Sequence, residues 1–201
     1  MKLIISFSGR SNGNSNDIAQ YISRENDLII NFKDLNIHSC MDCNYECFKS
    51  VCKYREDDIY KLYEMMYDYD KVVLIVPMYC NNPSSLYFIF NERSQDFFMH
   101  NGLRYEELMK KLYIIGILGS KTESPNFLKT FNKWFFGAEE DIIAFNKEHL
   151  ELSDHILGIE RHLYDLRLSD SVINIPRIRE KLDDFLKWFS YINALNSCIM
   201  F

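Results

Sequence analysis

Short, wholly apolar runs separated by longer amphipathic stretches constrain this chain more than any other feature. Leu3 to Phe7, Leu28 to Phe32, Val72 to Val76, Leu112 to Leu118 and Ile142 to Phe145 are rich in β-branched or aromatic residues. Runs of this length without polar alternation read as strands covered on both faces. Behind an Asp57-Asp58 pair suited to capping a helix N-terminus, Ile59, Leu62, Tyr63 and Met66 recur at helical spacing. Crossovers this long do not make hairpins, so the alternation predicts an α/β fold: a doubly wound, five-stranded parallel sheet with helices on both faces. The aromatic stretch from Leu86 to Phe98 reads as one of those helices. Later, Ile178, Leu182, Phe185, Leu186 and Phe189 form one apolar stripe beginning near Pro176, which predicts a C-terminal helical extension over about residues 147–201.

With 201 residues, 47% of them apolar, the chain has the material for one well-cored domain. No internal repeat or Gly/Pro-rich linker marks a second, so residues 1–201 are expected to form a single domain. An excess of acidic over basic residues, 29 to 23, gives a net charge of -6 and argues against nucleic-acid partners. Apolar runs such as "LYIIGIL" fall far short of the roughly 20 residues needed to cross a bilayer. The start, "MKLIISFSGR", lacks the apolar core and cleavage site of a secretory signal. The expectation is a soluble, cytoplasmic protein without a membrane partner. In a reducing compartment the six cysteines read as ligands, redox groups or core filler before structural disulfides.

The first strand runs into "SFSGRSNGNSN", Ser6 to Asn16, which is polar and free of carboxylates. This loop leads into a helix expected from about Asn16 to Arg24, at the sheet edge where parallel α/β folds bind ligands. A helix N-terminus there offers unpaired amides and the positive end of the peptide dipole, which suits phosphate. Neither common phosphate loop is present. Gly9 and Gly13 do not fit G-x-G-x-x-G, and no Lys-Ser/Thr pair follows. Hydroxyls, amides and Arg10 must do the binding.

At this point the residues resemble a known family. "SGRSNGNSN" is similar to the S-P-R-x-N-G-N-T loop of the NAD(P)H-dependent FMN reductases and iron-sulfur flavoproteins, which share the flavodoxin-like fold; here Gly9 replaces the usual proline. The resemblance implies that Ser8, Arg10, Asn14, Ser15 and Asn16 hold the FMN phosphate. "VVLIVPMYCNNPSS", Val72 to Ser85, resembles the family's strand-P-x-Y segment, which implies that Pro77, Met78, Tyr79, Cys80 and Asn81 lie along the flavin ring. Fixed amide dipoles there would stabilise the charge of a reduced flavin. "FNERSQ" resembles the Asp-Arg segment that follows, with Glu92 in place of aspartate, and "LGSK" falls where a third loop meets the flavin, implying contacts from Gly119 and Ser120.

Four of the six cysteines, Cys40, Cys43, Cys47 and Cys52, fall in a loop spanning about 37–57. Thiolates this dense suit an iron-sulfur cluster or zinc. Iron-sulfur flavoproteins carry their cluster at the corresponding place. Here two, three and four residues separate successive cysteines, whereas the compact cluster motif has two, two and a longer gap. Reduced thiols or a Cys40/Cys43 redox pair are the alternatives. His155 and His162, seven apart, read as solvated residues of one helix face, and His149 as solvated too.

These features together imply an FMN-binding oxidoreductase that takes electrons from NAD(P)H or a protein donor and passes them to a small-molecule or protein acceptor. The alternatives are an iron-sulfur flavoprotein electron carrier with a cluster on Cys40–Cys52, and a metal-binding or regulatory module that has lost the flavin. The family resemblance further implies a homo-dimer or homo-tetramer.

Overall fold

Strand β1 (Lys2–Ser6) is flanked by two parallel neighbours. On one side β2 (Leu28–Asn31) pairs Leu28 with Leu3, and on the other β3 (Lys71–Tyr79) pairs Val72 with the same residue. The computed structural model describes residues 1–80, 82–99, 102–118, 151–153, 156–160 and 171–185. Further along the sheet, β5 (Leu112–Leu118) joins β3 and β7 (Ile156–Glu160) joins β5, both in parallel. Two short antiparallel strands complete it: β4 (Asn82–Pro83) folds back on the end of β3, and β6 (Glu151–Ser153) edges β7. The order is β2-β1-β3-β5-β7-β6 with β4 off the path, so five strands run parallel, as the sequence implies.

Strand periodicity divides the core into two layers. Leu3, Ile5, Phe7, Leu74, Val76 and Ile114 face α2 (Asp58–Tyr67), α3 (Ser85–Met99) and α4 (Gly102–Lys111). Their alternate neighbours Ile4, Val73, Ile75 and Ile115 face α1 (Asn14–Ile22) and the helical residues 176–185, where Ile178 and Leu182 are buried. Both sheet faces are thus covered, which explains why these strands carry no polar alternation. Burying each such aliphatic side chain contributes about 1.5–3 kcal/mol. The expected stripe of α2, Ile59, Leu62, Tyr63 and Met66, is buried as a unit, and the Asp57 carboxylate caps that helix by accepting from the Ile59 amide at 3.1 Å. No helix among the described residues is long and apolar enough to cross a membrane.

Two expectations need correction. A helical extension from about residue 147 does not hold at its start, because Glu151–Ser153 and Ile156–Glu160 are strands of the main sheet. The reason lies in β5, all seven residues of which are buried; its outer backbone groups must be paired, and β7 pairs them. Ile156–Glu160 is a strand, so the helix expected across this stretch does not form over those residues. Ile142–Phe145, expected as the fifth strand, and His149, His155, His162, Leu186 and Phe189 lie outside the described residues.

Candidate functional site

The C-terminal ends of β1, β3 and β5 meet the N-terminus of α1 around a cavity of about 220 Å3. One wall comes from the polar loop: Ser8, Arg10, Asn14 and Ser15, together with Gly13. The opposite wall is Pro77, Met78 and Tyr79 at the end of β3, with Ile117 and Leu118 of β5 beside them. Seven residues singled out in the sequence therefore line one space. Gly13, Ile117 and Leu118 were not among them. Position could have found the last two, since β5 neighbours β3 and ends at the same edge.

Backbone bonds hold this edge in shape. The Phe7 amide donates to the Ile75 carbonyl at 2.9 Å, and the Ser84 amide to the Pro77 carbonyl at 3.0 Å. Ser84 Oγ, buried, donates to the Phe7 carbonyl at 2.9 Å, tying the start of α3 to the exit of β1. Within the polar loop, Ser8 Oγ accepts from the Arg10 amide at 3.1 Å.

The corner at the α1 N-terminus carries unengaged donors among the described residues. Gly13 is the N-cap of α1, in extended backbone, and supplies no side-chain cap. Its carbonyl accepts from the Asn16 and Asp17 amides, whereas those of Asn14 and Ser15 have no acceptor among the described residues. A Ser, Asn or Asp in place of Gly13 would turn its own oxygen toward the free amides of the first turn. Arg10 is exposed and its guanidinium makes no ion pair among the described residues. No carboxylate lines the cavity. Open amides, one free cation and no competing anion suit a phosphate monoester.

Other predicted positions serve differently. Asn16 is a brace: its Nδ2 donates to the Ser11 carbonyl and its Oδ1 accepts from Ser6 Oγ at 3.2 Å. Asn14 Oδ1 accepts from the Val172 amide at 3.0 Å, fixing the 172–174 turn against α1. Cys80 is exposed, with left-handed backbone at φ 48°, and does not line the cavity; Asn82 Nδ2 donates to its carbonyl at 3.0 Å. Asn81, Gly119 and Ser120 lie outside the described residues.

No protein-family model matches the chain, and no curated protein matches its sequence. Solved structures do share its architecture. The structure of the Trp repressor binding protein from Bacillus subtilis superposes with a TM-score of 0.60 at 14% identity, covering 92% of this chain and 97% of that one. A flavone reductase superposes with a TM-score of 0.50 at 15% identity, over 96% of this chain and 64% of that one. The fold is flavodoxin-like.

In this flavodoxin-like chain the cysteine loop lines no part of the cavity. Cys40 is exposed, Cys43 and Cys52 are partly buried, and Cys47 is buried within the 3-10 turn Glu46–Phe48. Burial, then the neighbouring Cys43 and Cys47, push the Cys40 thiol up; burial and Asp96 of α3 do the same to Cys47. Expected as a metal-ligating set, these cysteines are not arranged as one: no group of three or more His, Cys, Asp or Glu side chains among the described residues could hold a metal ion. Their uneven spacing puts one thiol outside and another inside the loop.

The loop's neck carries the one functional-looking residue whose role the sequence conceals. Arg93 of α3 is 2% exposed, and its Nη1 donates to the Asp57 carboxylate at 2.6 Å and to the His38 carbonyl at 2.8 Å. Its Nη2 donates to the Tyr54 carbonyl at 3.0 Å. The "FNERSQ" segment thus closes the base of the cysteine loop and lines no part of the cavity.

Proposed function

We propose that the cavity holds FMN and that the protein is an oxidoreductase passing electrons through it. The observation that carries this reading is the donor set at the α1 N-terminus: free amides of Asn14 and Ser15 beside the unpaired Arg10, with no carboxylate in the lining. These groups would hold the phosphate, while the edge at Pro77–Tyr79 and the apolar Ile117 and Leu118 would border the ring. Bound flavin would supply the hydride and single-electron chemistry. The protein's part is to bind, orient and shield it. The flavodoxin-like fold and the reductase among the similar structures support this reading. NAD(P)H is the proposed donor, and a small molecule or a redox protein the acceptor. A homo-dimer or homo-tetramer goes with the same proposal, which light scattering on the eluting protein tests.

The decisive experiment is to saturate the purified protein with FMN, desalt it and record its visible spectrum before and after anaerobic NADH or NADPH. The proposal predicts retained flavin absorbance at one equivalent, bleached by one of the two nucleotides. Folded protein that elutes colourless overturns it and favours a module without flavin. Retained flavin that neither nucleotide bleaches, but dithionite does, transfers the donor role to a protein.

A further inference from the structure

Among the described residues, hydrogen bonds join the cysteine loop to the fold at its neck. Asn36 and Asp58 exchange two hydrogen bonds across it, the Asp58 amide reaching the Asn36 carbonyl at 3.0 Å and the Asn36 amide the Asp58 carboxylate at 2.9 Å. Just inside, the Arg93 guanidinium holds His38, Tyr54 and Asp57, and the His38 and Tyr54 rings stack 4.7 Å apart. Beyond the neck the bonding turns inward. Among the described residues, every hydrogen bond made by residues 39–53 stays within the loop, such as Glu46 amide to Cys43 carbonyl and Lys53 Nζ to Asp42 carbonyl. Among the described residues, the segment can therefore change shape without breaking a hydrogen bond to the core.

Its backbone is already folded tightly around Cys43. Asp42, Asn44 and Tyr45 have φ of 52°, 46° and 58°, a left-handed conformation that reverses the chain on both sides of that cysteine. Cys40, exposed, precedes this reversal, and Cys43, partly buried, sits inside it in a C-x-x-C spacing. Among the charges acting on Cys40, that of Cys43 is foremost. None of the loop cysteines is in a disulfide.

We propose that Cys40 and Cys43 form a reversible dithiol–disulfide couple, a modification site on a self-contained surface loop, oxidised by low-molecular-weight disulfides such as glutathione disulfide. Cys40, the accessible member, attacks one sulfur of the small disulfide as its thiolate, giving a mixed disulfide and releasing one thiol. Cys43 then loses its proton and attacks the Cys40 sulfur, closing the protein disulfide and releasing the second thiol. Two electrons pass to the small disulfide, and the two thiol protons of the protein leave on the released thiols. Closure fixes Met41 and Asp42 inside a small ring. Met41, Tyr45, Phe48 and Val51 are all exposed on this loop, so the couple controls the shape of its apolar surface. The Arg93 neck confines the change to the loop. This inference stands apart from the flavin reading.

The test is to equilibrate the full chain with glutathione disulfide, with and without added FMN, alkylate the remaining thiols and map peptides by mass spectrometry. Wild type is expected to lose two hydrogens through a Cys40–Cys43 bridge in both conditions. Cys43→Ser should instead accumulate glutathione on Cys40, at least about tenfold above wild type, because nothing resolves the mixed disulfide. Cys40→Ser should lose the bridge, and Cys47→Ser should keep it; circular dichroism verifies that each variant is folded. A stable glutathione adduct on Cys40 of wild type overturns the proposal. So does a bridge joining another pair, an unreactive Cys40, or thiols shielded by a metal ion retained from purification.

Discussion

Arg93 and Asp57 form a fully buried ion pair, N to O 2.6 Å, with side chains 1% and 2% exposed. A single carboxylate serves three partners there. Besides Arg93, Asp57 accepts from the His38 amide at 2.9 Å and from the Ile59 amide at 3.1 Å. Capping α2, closing the cysteine loop and docking α3 therefore depend on one side chain.

Removing either partner strands a buried charge. Arg93→Ala is expected to cost about 3–5 kcal/mol, since the orphaned Asp57 loses its counter-charge and two carbonyls lose donors. Urea unfolding followed by circular dichroism checks this. A loss below about 1 kcal/mol would mean that water replaces the guanidinium without penalty.

The same pair contributes to the acid response. Burial would raise the Asp57 pKa, but the Arg93 hydrogen bond and the His38 and Ile59 amides outweigh it and hold the carboxyl below its ordinary value. Asp27, paired with Lys2 at 2.8 Å, is lowered against burial in the same way. With a folded pKa below the unfolded one, the stabilisation is complete above about pH 5 and is lost as pH falls through the folded value. Unfolding midpoints between pH 3 and 7 should be level and then fall below about pH 4, with a shallower fall in Asp57→Asn. A wild-type curve as shallow as the variant's would contradict this.

What the sequence makes legible follows from how local each cause is. Strands buried on both faces announce themselves, because Leu3–Ile5 and Val72–Val76 are wholly apolar, and the α2 stripe needs only its own period. Ile156–Glu160 does not: five residues including a glycine give little pattern, and the force that makes them a strand is the unpaired edge of β5. The cavity wall from Ser8 to Ser15 is legible because a carboxylate-free donor loop after a strand has one obvious chemistry. The bracing role of Asn16 is not legible, because its partners, Ser6 and Ser11, are fixed only once the loop folds. Arg93 is concealed for a similar reason. A charged residue in an aromatic-rich helix ordinarily faces solvent, and the carboxylate that draws this one inward lies 36 residues earlier.

Gly13 separates helix stability from anion binding. An added Cβ would meet nothing closer than Arg10 Cβ at 3.9 Å, and the backbone is extended, so a side chain fits. Gly13→Asp caps α1 and should raise stability by a few tenths of a kcal/mol. It also places a carboxylate where the phosphate would sit, and FMN affinity should fall at least about tenfold. Thermal unfolding and a flavin titration on the same sample check that the two move in opposite directions.

Burial disfavours the charged form of Lys71 at neutral pH. It is 9% exposed, and burial, then neighbouring Lys2, depress its pKa to about 8, while its ammonium lies 5.3 Å from the Tyr113 ring. Its folded value is below the unfolded one near 10.4, so the unfolded chain binds more protons between those limits and stability rises with pH across them. Lys71→Met is expected to stabilise by about 1–2 kcal/mol at pH 7, and the gain should shrink between pH 8 and 10. Urea unfolding at three pH values checks both the sign and the trend.

The central claim is that free amides and Arg10 at the head of α1 grip a phosphate, and paired titrations of FMN and riboflavin into the folded protein test it most directly. FMN is expected to bind at one equivalent and at least about 100-fold more tightly than riboflavin, and Arg10→Ala should remove at least tenfold of that advantage without changing riboflavin affinity. Equal affinity for the two flavins, or binding of neither, would contradict the account.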